Sequence, residues 1–448
     1  MPTFAERLGD FVVNYSFADL PDAVVEKAKL AIRDQVGCQL LGSTLPWVQA
    51  PYRMVRQLGE DGPATIVNHG VRTSAPNAAM TNAVFGHSAE LDDYGAGVGA
   101  HSGSVCLAVV LALGESLGKS GKDVLAALAL GYDTAWILGE TMHKELVHRG
   151  IHAHAVLSTF SATSVASRLL DLTALQAANA FAVAASSAFG TMEFYRSGGE
   201  VKRFHSGKAA KAGIEAALLA VHGLTGPLTI FEGEWGLMAL LAGVEPGTRD
   251  INVRTGVGMA NNCFKFYPTL AVQQSPIRIV HELLGETPPD EVASVRVSLQ
   301  AGAVRDTGSF DAPNSPVSAQ VSLPYSLALA VARRSNDLAL YTDPSAWTAD
   351  DVRAAARKVQ LIANPDARGK YDCQVAITLT DGRVLDGASE YPRGSHWNPA
   401  SGDELEAKFR RVARDVLPTA QLDQIVGATA GIEEVADISS FTRLLVRQ

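Results

Sequence analysis

The stretch VLSTFSATSVASRLLDLTALQAANAFAVAASSAF, Val156 to Phe189, decides the fold. It reads as two alanine-rich helices, Val156–Leu170 and Ala174–Phe189, and small side chains in apolar runs let helices pack closely. The same texture extends in both directions. Downstream, Lys208 to His222 reads as a further helix. Upstream, Val25, Ala28, Ile32 and Val36 recur at helical spacing after a Pro21-Asp22 start signal. Val105 to Leu117 reads as a buried helix ending near Gly118, and Ser120 with Asp123 forms a capping-box pattern that opens a helix to about Met142. With hardly a strand signal among them, these segments predict an all-helical first domain.

After Lys265 the pattern changes. Val295, Val297 and Leu299 alternate with polar residues, as do Cys373, Val375, Ile377 and Leu379, and Asp381-Gly382 is a hairpin signal. Helices are expected between these strands at Leu270–Leu284, Pro324–Arg334 and Ala349–Lys358, with Pro324 at the first helical position. YPRGSHWNPASGD reads as an exit linker, and DELEAKFRRVARDVL as a helix returning to the first domain. The expected fold is mainly α: helical domain 1–265, α+β lid-like domain 266–400, and helical return 401–448.

The chain has 448 residues, 47% hydrophobic and 19% charged, a globular ratio with room for two domains. A net charge of -9 argues against nucleic-acid binding, which needs a broad basic face. It leaves room for an anionic small substrate. The four cysteines are scattered without a CxxC pair, so a zinc knuckle is not expected, and Cys38 and Cys106 read as core. The first residues lack a signal-peptide core, and Val105–Gly114 is too short to span a bilayer, so the expectation is a soluble cytoplasmic protein without membrane association.

AELDDYGAGVGAHSGS, Ala89 to Ser104, is the richest in chemistry. Its glycines do not keep the G-x-G-x-x-G spacing of a dinucleotide fingerprint. Metal ligands are present in type (His87, Asp92, Asp93, His101, with His148, His152 and His154 downstream), but no H-E-x-x-H pattern occurs, and Gly150 interrupts the His148/His152 pair. Acid/base chemistry remains. His101 stands just before an apolar helix, where an anionic group is favoured and an imidazole can move protons near neutral pH.

GHSAELDD…AHSGSVCLAVVLALGE resembles the signature of the MmgE/PrpD family, which includes 2-methylcitrate dehydratases, cis-aconitate decarboxylases and iminodisuccinate epimerases. GIHAHAVLSTFSATSVASRLL, VKRFHSGKAAKAGIEAALLAVHGLTGPLTIFEGEWG, FKFYP and VSLPYSLALAV resemble later family blocks in the same order. The resemblance implies a large helical domain with a smaller α+β domain, a homodimer, and no cofactor. It implies a lyase, with a hydro-lyase first, acting on a small di- or tricarboxylate. An epimerase, a decarboxylase or a non-catalytic dimeric scaffold of the same fold are the alternatives, with a metal hydrolase last.

Carried over by motif, the site residues are His101, His152, Lys202, Lys265, Glu90 and Asp93. His101 is the candidate base. Lys202 and Lys265 would stabilise charge gathering on carboxylate oxygens. His152 or Glu90 would protonate a leaving hydroxyl. Glu90 and Asp93 have a second reading as groups that orient His101 or cap a helix. His154 is expected to point elsewhere, His205 to be structural just before a helix start, and Arg203 and Lys208 to be peripheral. Ser102 stands where relatives usually have Pro, Tyr94 where some decarboxylases have Thr, and LQAGAVRDTGSFD (299–311) lacks the tyrosine of the decarboxylase branch.

Overall fold

The computed structural model describes residues 1–308 and 313–447, so the end of the tyrosine-free segment 299–311 falls outside the described residues. The protein is mainly α with a smaller α+β part. Two compact units are present. The first comprises Met1–Arg196, Glu200–Cys263 and Ser401–Gln448; the second comprises Ser197–Gly199 and Phe264–Ala400.

In the first unit the main helices are α1 (Asp22–Gly42), α2 (Ala75–Gly86), α3 (Ser102–Leu117), α4 (Gly121–His148), α5 (Ala153–Leu169), α6 (Ala174–Ala184) and α7 (Val201–Val221). Helix α5 is central and packs against α3, α4, α6 and α7; α2 lies against both α3 and α7. Such packing needs small residues at the crossings. A Cβ on Gly213 of α7 would run into Ala162 of α5 and its backbone. The Ser120 capping box forms as expected, with Ser120 Oγ accepting from Asp123 N–H at 3.2 Å and Asp123 Oδ2 accepting from Ser120 N–H at 3.1 Å. Gly118 ends α3 in the left-handed region.

Several helix boundaries differ from the sequence reading: α4 runs on to His148, and the helix expected from Leu270 begins at Gln274 after a 3-10 turn. Helix α6 stops at Ala184 and continues only as a 3-10 turn, Ala185–Ser187. Helix α7 starts at Val201, seven residues before the expected Lys208. Ser206-Gly207 resembles a start signal, but Gly207 sits mid-helix because Met80 and Val84 of α2 occupy the space a Cβ would take. Lys202, Arg203, His205 and Ser206 therefore lie on the first turns of a helix, not on a loop.

The second unit carries a four-stranded sheet of β1 (Val292–Leu299), β2 (Val359–Ala363), β3 (Cys373–Leu379) and β4 (Val384–Ser389), in the order β2-β1-β3-β4. Strand β2 runs parallel to β1, with Val297 opposite Leu361; the remaining pairs are antiparallel. The alternation read from sequence is the alternation of burial, with Val295, Val297, Leu299, Cys373, Val375, Ile377 and Leu379 all inward. Gly382 turns the β3–β4 hairpin at φ 89°. Helices α8 (Gln274–Leu284), α9 (Leu323–Arg333) and α10 (Asp350–Ala356) complete its core. Pro324 is the second residue of α9, not the first, and Ser322 Oγ accepts from Tyr325 N–H at 3.2 Å to cap that helix. Strand β2 has no counterpart in the sequence reading.

Helix α11 (Gly402–Ala413) opens on a Ser401/Glu404 capping box and packs on α1 within the first unit. No helix among the described residues is long and apolar enough to cross a membrane.

Gly213→Val should lower the urea midpoint, because overpacking a helix crossing costs about 1–3 kcal/mol. Gly427→Ala, at an open helical position, should leave the midpoint unchanged or raise it. Equal midpoints for Gly213→Val and wild type would refute the close α5–α7 crossing.

Candidate active site

The acid- and glycine-rich stretch forms the loop between α2 and α3. His87 follows the last residue of α2, and His101 precedes the first of α3. The glycines fold the loop onto itself. Gly95 N–H donates to Ala100 O at 2.8 Å and Gly99 N–H to Gly95 O at 3.2 Å, with Gly97 at φ 91°. A side chain at Gly99 would collide with the His143 ring. The glycines serve a tight turn that delivers His101 to the helix start. Glu90, with φ 57°, is a buried non-glycine residue in the left-handed region, a strained conformation that the surroundings must hold.

Hydrogen bonding sets the tautomer of His101. Its Nδ1 lies 2.9 Å from the Asp93 carbonyl, which only accepts, so Nδ1 carries a proton and Nε2 is the lone-pair nitrogen of the neutral ring. Asp92 Oδ2 lies 3.3 Å from the same Nδ1 and 2.6 Å from His87 Nδ1. The Asp93 side chain turns the other way. It accepts from Gly103 N–H at 3.0 Å, closing the start of α3, from Asn262 Nδ2 at 2.8 Å and from Tyr132 OH. Asp93 thus both orients His101 and caps a helix. Burial pushes its carboxyl up, against those three donors.

His101 belongs to a chain of five imidazoles. Ring centroids are 5.0 Å apart for His87–His101, 5.3 Å for His101–His154, 5.6 Å for His154–His152 and 5.0 Å for His152–His205. His154 does not point elsewhere. His152 precedes α5 with non-helical ψ of 99°, so helical spacing does not separate the two rings. His154 Nδ1 accepts the His101 backbone N–H at 3.1 Å, which leaves Nε2–H to donate to Ser206 Oγ at 2.7 Å. Ser104 Oγ in turn donates to His101 O at 2.8 Å. His205, on α7, shares a 2.8 Å Nδ1–Nδ1 hydrogen bond with His152.

Burial disfavours the charged form of four of the five rings. It lowers His87 and His205 to about 4 and holds His152 and His154 well below the usual imidazole range, with neighbouring cationic groups acting in the same direction. The His101 side chain is 19% exposed, whereas His87 is fully buried and His152 and His205 are 8% and 6% exposed.

Charges flank the imidazoles in pairs. Glu90 contacts Lys202 and, at 2.7 Å, Arg203. All three are nearly inaccessible, so Arg203 is a core cation rather than the peripheral charge expected. Lys208 is only partly buried and donates to Phe189 O at 3.3 Å. A further buried cation supports the loop from α11: Lys408 Nζ lies 2.6 Å from Asp34 Oδ1 and donates to Leu91 O at 2.7 Å. Burial pushes Asp34 up to about 6, although Lys408 pulls it down.

The structure therefore brings His101, His152, Lys202, Glu90 and Asp93 into one region of the first unit. Lys265 is buried and belongs to the second unit. His154, His205, Arg203 and Lys408 are close neighbours of these residues that sequence reasoning left out. Metal-ligand atoms of His87, Asp92 and His101 lie within 4.8 Å of one another. His101 Nδ1 is taken by the Asp93 carbonyl and His87 Nδ1 by Asp92, whereas His87 Nε2 is buried without a hydrogen-bond partner.

The first unit is helical with a buried cluster of histidines and lysines, and the second is a small α+β unit. Residues 6–248 match the MmgE/PrpD N-terminal domain and residues 267–430 the MmgE/PrpD C-terminal domain. The chain belongs to the MmgE/PrpD family. It is 26% identical over 466 residues to the cis-aconitate decarboxylase of Aspergillus terreus, covering 96% of this chain and 94% of that protein. It is 28% identical over 475 residues to the cis-aconitate decarboxylase of Homo sapiens, covering 99% and 95%. Identity to the Mus musculus cis-aconitate decarboxylase is 27% over 467 residues, covering 99% and 92%.

Two measurements check this geometry. A histidine held below its unfolded value makes the unfolded state bind more protons, so stability is full above about pH 6.5 and falls as pH drops toward 4. Each such histidine contributes a slope of about 1.4 kcal/mol per pH unit. Urea midpoints from pH 7.5 to 4 should therefore fall steeply, less so for His205→Phe; a flat profile contradicts the neutral cluster. Lys408→Met should cost about 3–5 kcal/mol by stranding Asp34, and adding Asp34→Leu should recover part of it. No recovery in the double variant would show that the pair is not coupled.

Proposed function

We propose that the protein is a cofactor-independent lyase that removes a proton next to a carboxylate of a small di- or tricarboxylate, with loss of water as the leading reaction. The bare Nε2 of His101, the most exposed ring of an otherwise buried neutral cluster, carries this reading. A neutral imidazole whose other nitrogen is fixed by a carbonyl is ready to accept a proton.

In this scheme His101 takes the α-proton. Charge gathers on the substrate carboxylate, and Lys202 and Lys265 stabilise it more strongly in the transition state than in the ground state. Glu90 and Arg203 hold Lys202 in place. Because both cations engage Glu90, His152 rather than Glu90 is assigned the proton for the leaving hydroxyl. The second reading is decarboxylation, which the names of the relatives favour. It shares the carboxylate-binding cations and differs in the bond that breaks, carbon to carboxylate instead of carbon to oxygen. Tyr94, where some decarboxylases have Thr, supports dehydration as the first reading. A homodimer is part of the proposal, and light scattering measures it.

Citrate, 2-methylcitrate, cis-aconitate and iminodisuccinate, followed by proton NMR in D₂O, test the reading. Expected are deuterium at the α-carbon and growth of a conjugated acid from a hydroxy acid. Carbon dioxide release from cis-aconitate would select the second reading, and exchange without net product an epimerase. No exchange with any of the four overturns the proposal. His101→Asn should lower turnover by about 10²–10⁴-fold. Thorough chelation should leave turnover unchanged; loss that zinc restores would assign His87, Asp92 and His101 to a metal.

A further inference from the structure

His152 and His205 meet through their Nδ1 atoms at 2.8 Å. Two neutral imidazoles hold one N–H each, so this bond forces a choice. One ring is protonated at Nδ1 with a bare Nε2; the other has a bare Nδ1 and a protonated Nε2. The pair always offers one basic and one acidic Nε2.

We propose that His205 is a positioning residue that acts through His152, sharing one proton across the Nδ1–Nδ1 bond and thereby switching His152 between base and acid. When His152 Nε2 binds a proton from a reacting group, its Nδ1–H bond breaks and an Nδ1–H bond forms on His205. His205 then releases its own Nε2 proton to solvent. Both rings end neutral, with the tautomers exchanged, and the reverse sequence delivers a proton from His152. The inference rests on the proposed role of His152 in proton transfer.

The surroundings fit such a relay. Phe194 lies 5.0 Å from the His152 ring and 6.0 Å from the His205 ring, an apolar wall on the pair. Lys202, His87 and His101 bear electrostatically on His152, Lys202 and Lys208 bear on His205, and the His154 ring adjoins His152. These groups and burial oppose a lasting imidazolium, so a proton must leave as another arrives. The far edge of the His205 ring lies beside Gly190, where a Cβ would come 2.9 Å from both Cε1 and Nε2. His205 retains 6% exposure, an outlet for the released proton.

Selective ¹⁵N-histidine labelling of the full chain with long-range ¹H–¹⁵N spectra at pH 7 reads the tautomers without any substrate. Expected are opposite tautomers for His152 and His205, assigned through His152→Phe and His205→Phe. Both rings protonated at Nε2 would overturn the proposal. With a substrate from the screen, His205→Asn keeps a hydrogen-bond partner but relays no proton, and kcat should fall at least about tenfold with KM little changed. Wild-type kcat in His205→Asn refutes the relay even if the tautomers are as expected. Because the spectra need no turnover, a failed substrate screen leaves the pairing independently tested.

Discussion

Asp93 ties the first unit's chemistry to its framework through two different parts of one residue. Its carbonyl fixes the proton of His101, and its carboxylate gathers a helix N-terminus, a tyrosine of α4 and an asparagine 169 positions away. A loop rich in glycine has few preferred conformations of its own. Here its geometry is imposed from outside, by a buried acid with three donors on it and by Lys408 on the Leu91 carbonyl. The glycines permit the path and the buried polar contacts select it.

Two electrostatic regimes lie side by side around that loop. Burial disfavours charge on His87, His152, His154 and His205, and the rings bond to one another, to serines, to backbone and, at His87, to Asp92. The long cations and Glu90 are charged and paired. Burying an isolated charge is costly, so the region keeps formal charge only where opposite charge touches it. Mobile protons are left to rings whose charged state is disfavoured.

Periodicity makes most of the architecture readable before any coordinates. The alanine-rich helices, the alternation in β1 and β3, the Ser120 capping box and the Asp381-Gly382 turn all have local causes. Strand β2 does not: it lies at the edge of the sheet, and its exposed Ile362 and Ala363 are apolar, so VQLIA shows no polar/apolar alternation although Val359 and Leu361 face the core. The site divides in the same way. His101 is singled out by its place before an apolar helix, whereas His152, Lys202 and Glu90 come from motif resemblance. His154, His205 and Arg203 gain their meaning from partners 53, 53 and 113 positions distant, which no local window contains. His205 is further hidden because Ser206-Gly207 imitates a helix start while Gly207 answers to packing against α2.

The first unit is assembled from segments that the second interrupts, and Lys408 of α11 is the last of them to reach the Leu91 loop. During synthesis on the ribosome, residues 264–400 emerge before α11 does. The nascent helical bundle must therefore wait without the Lys408 counter-ion of Asp34. Domains fold as units while the chain elongates at about 5–20 residues per second, so that interval lasts on the order of ten seconds or more. A bundle missing its final strut would expose the α1 face that α11 later covers.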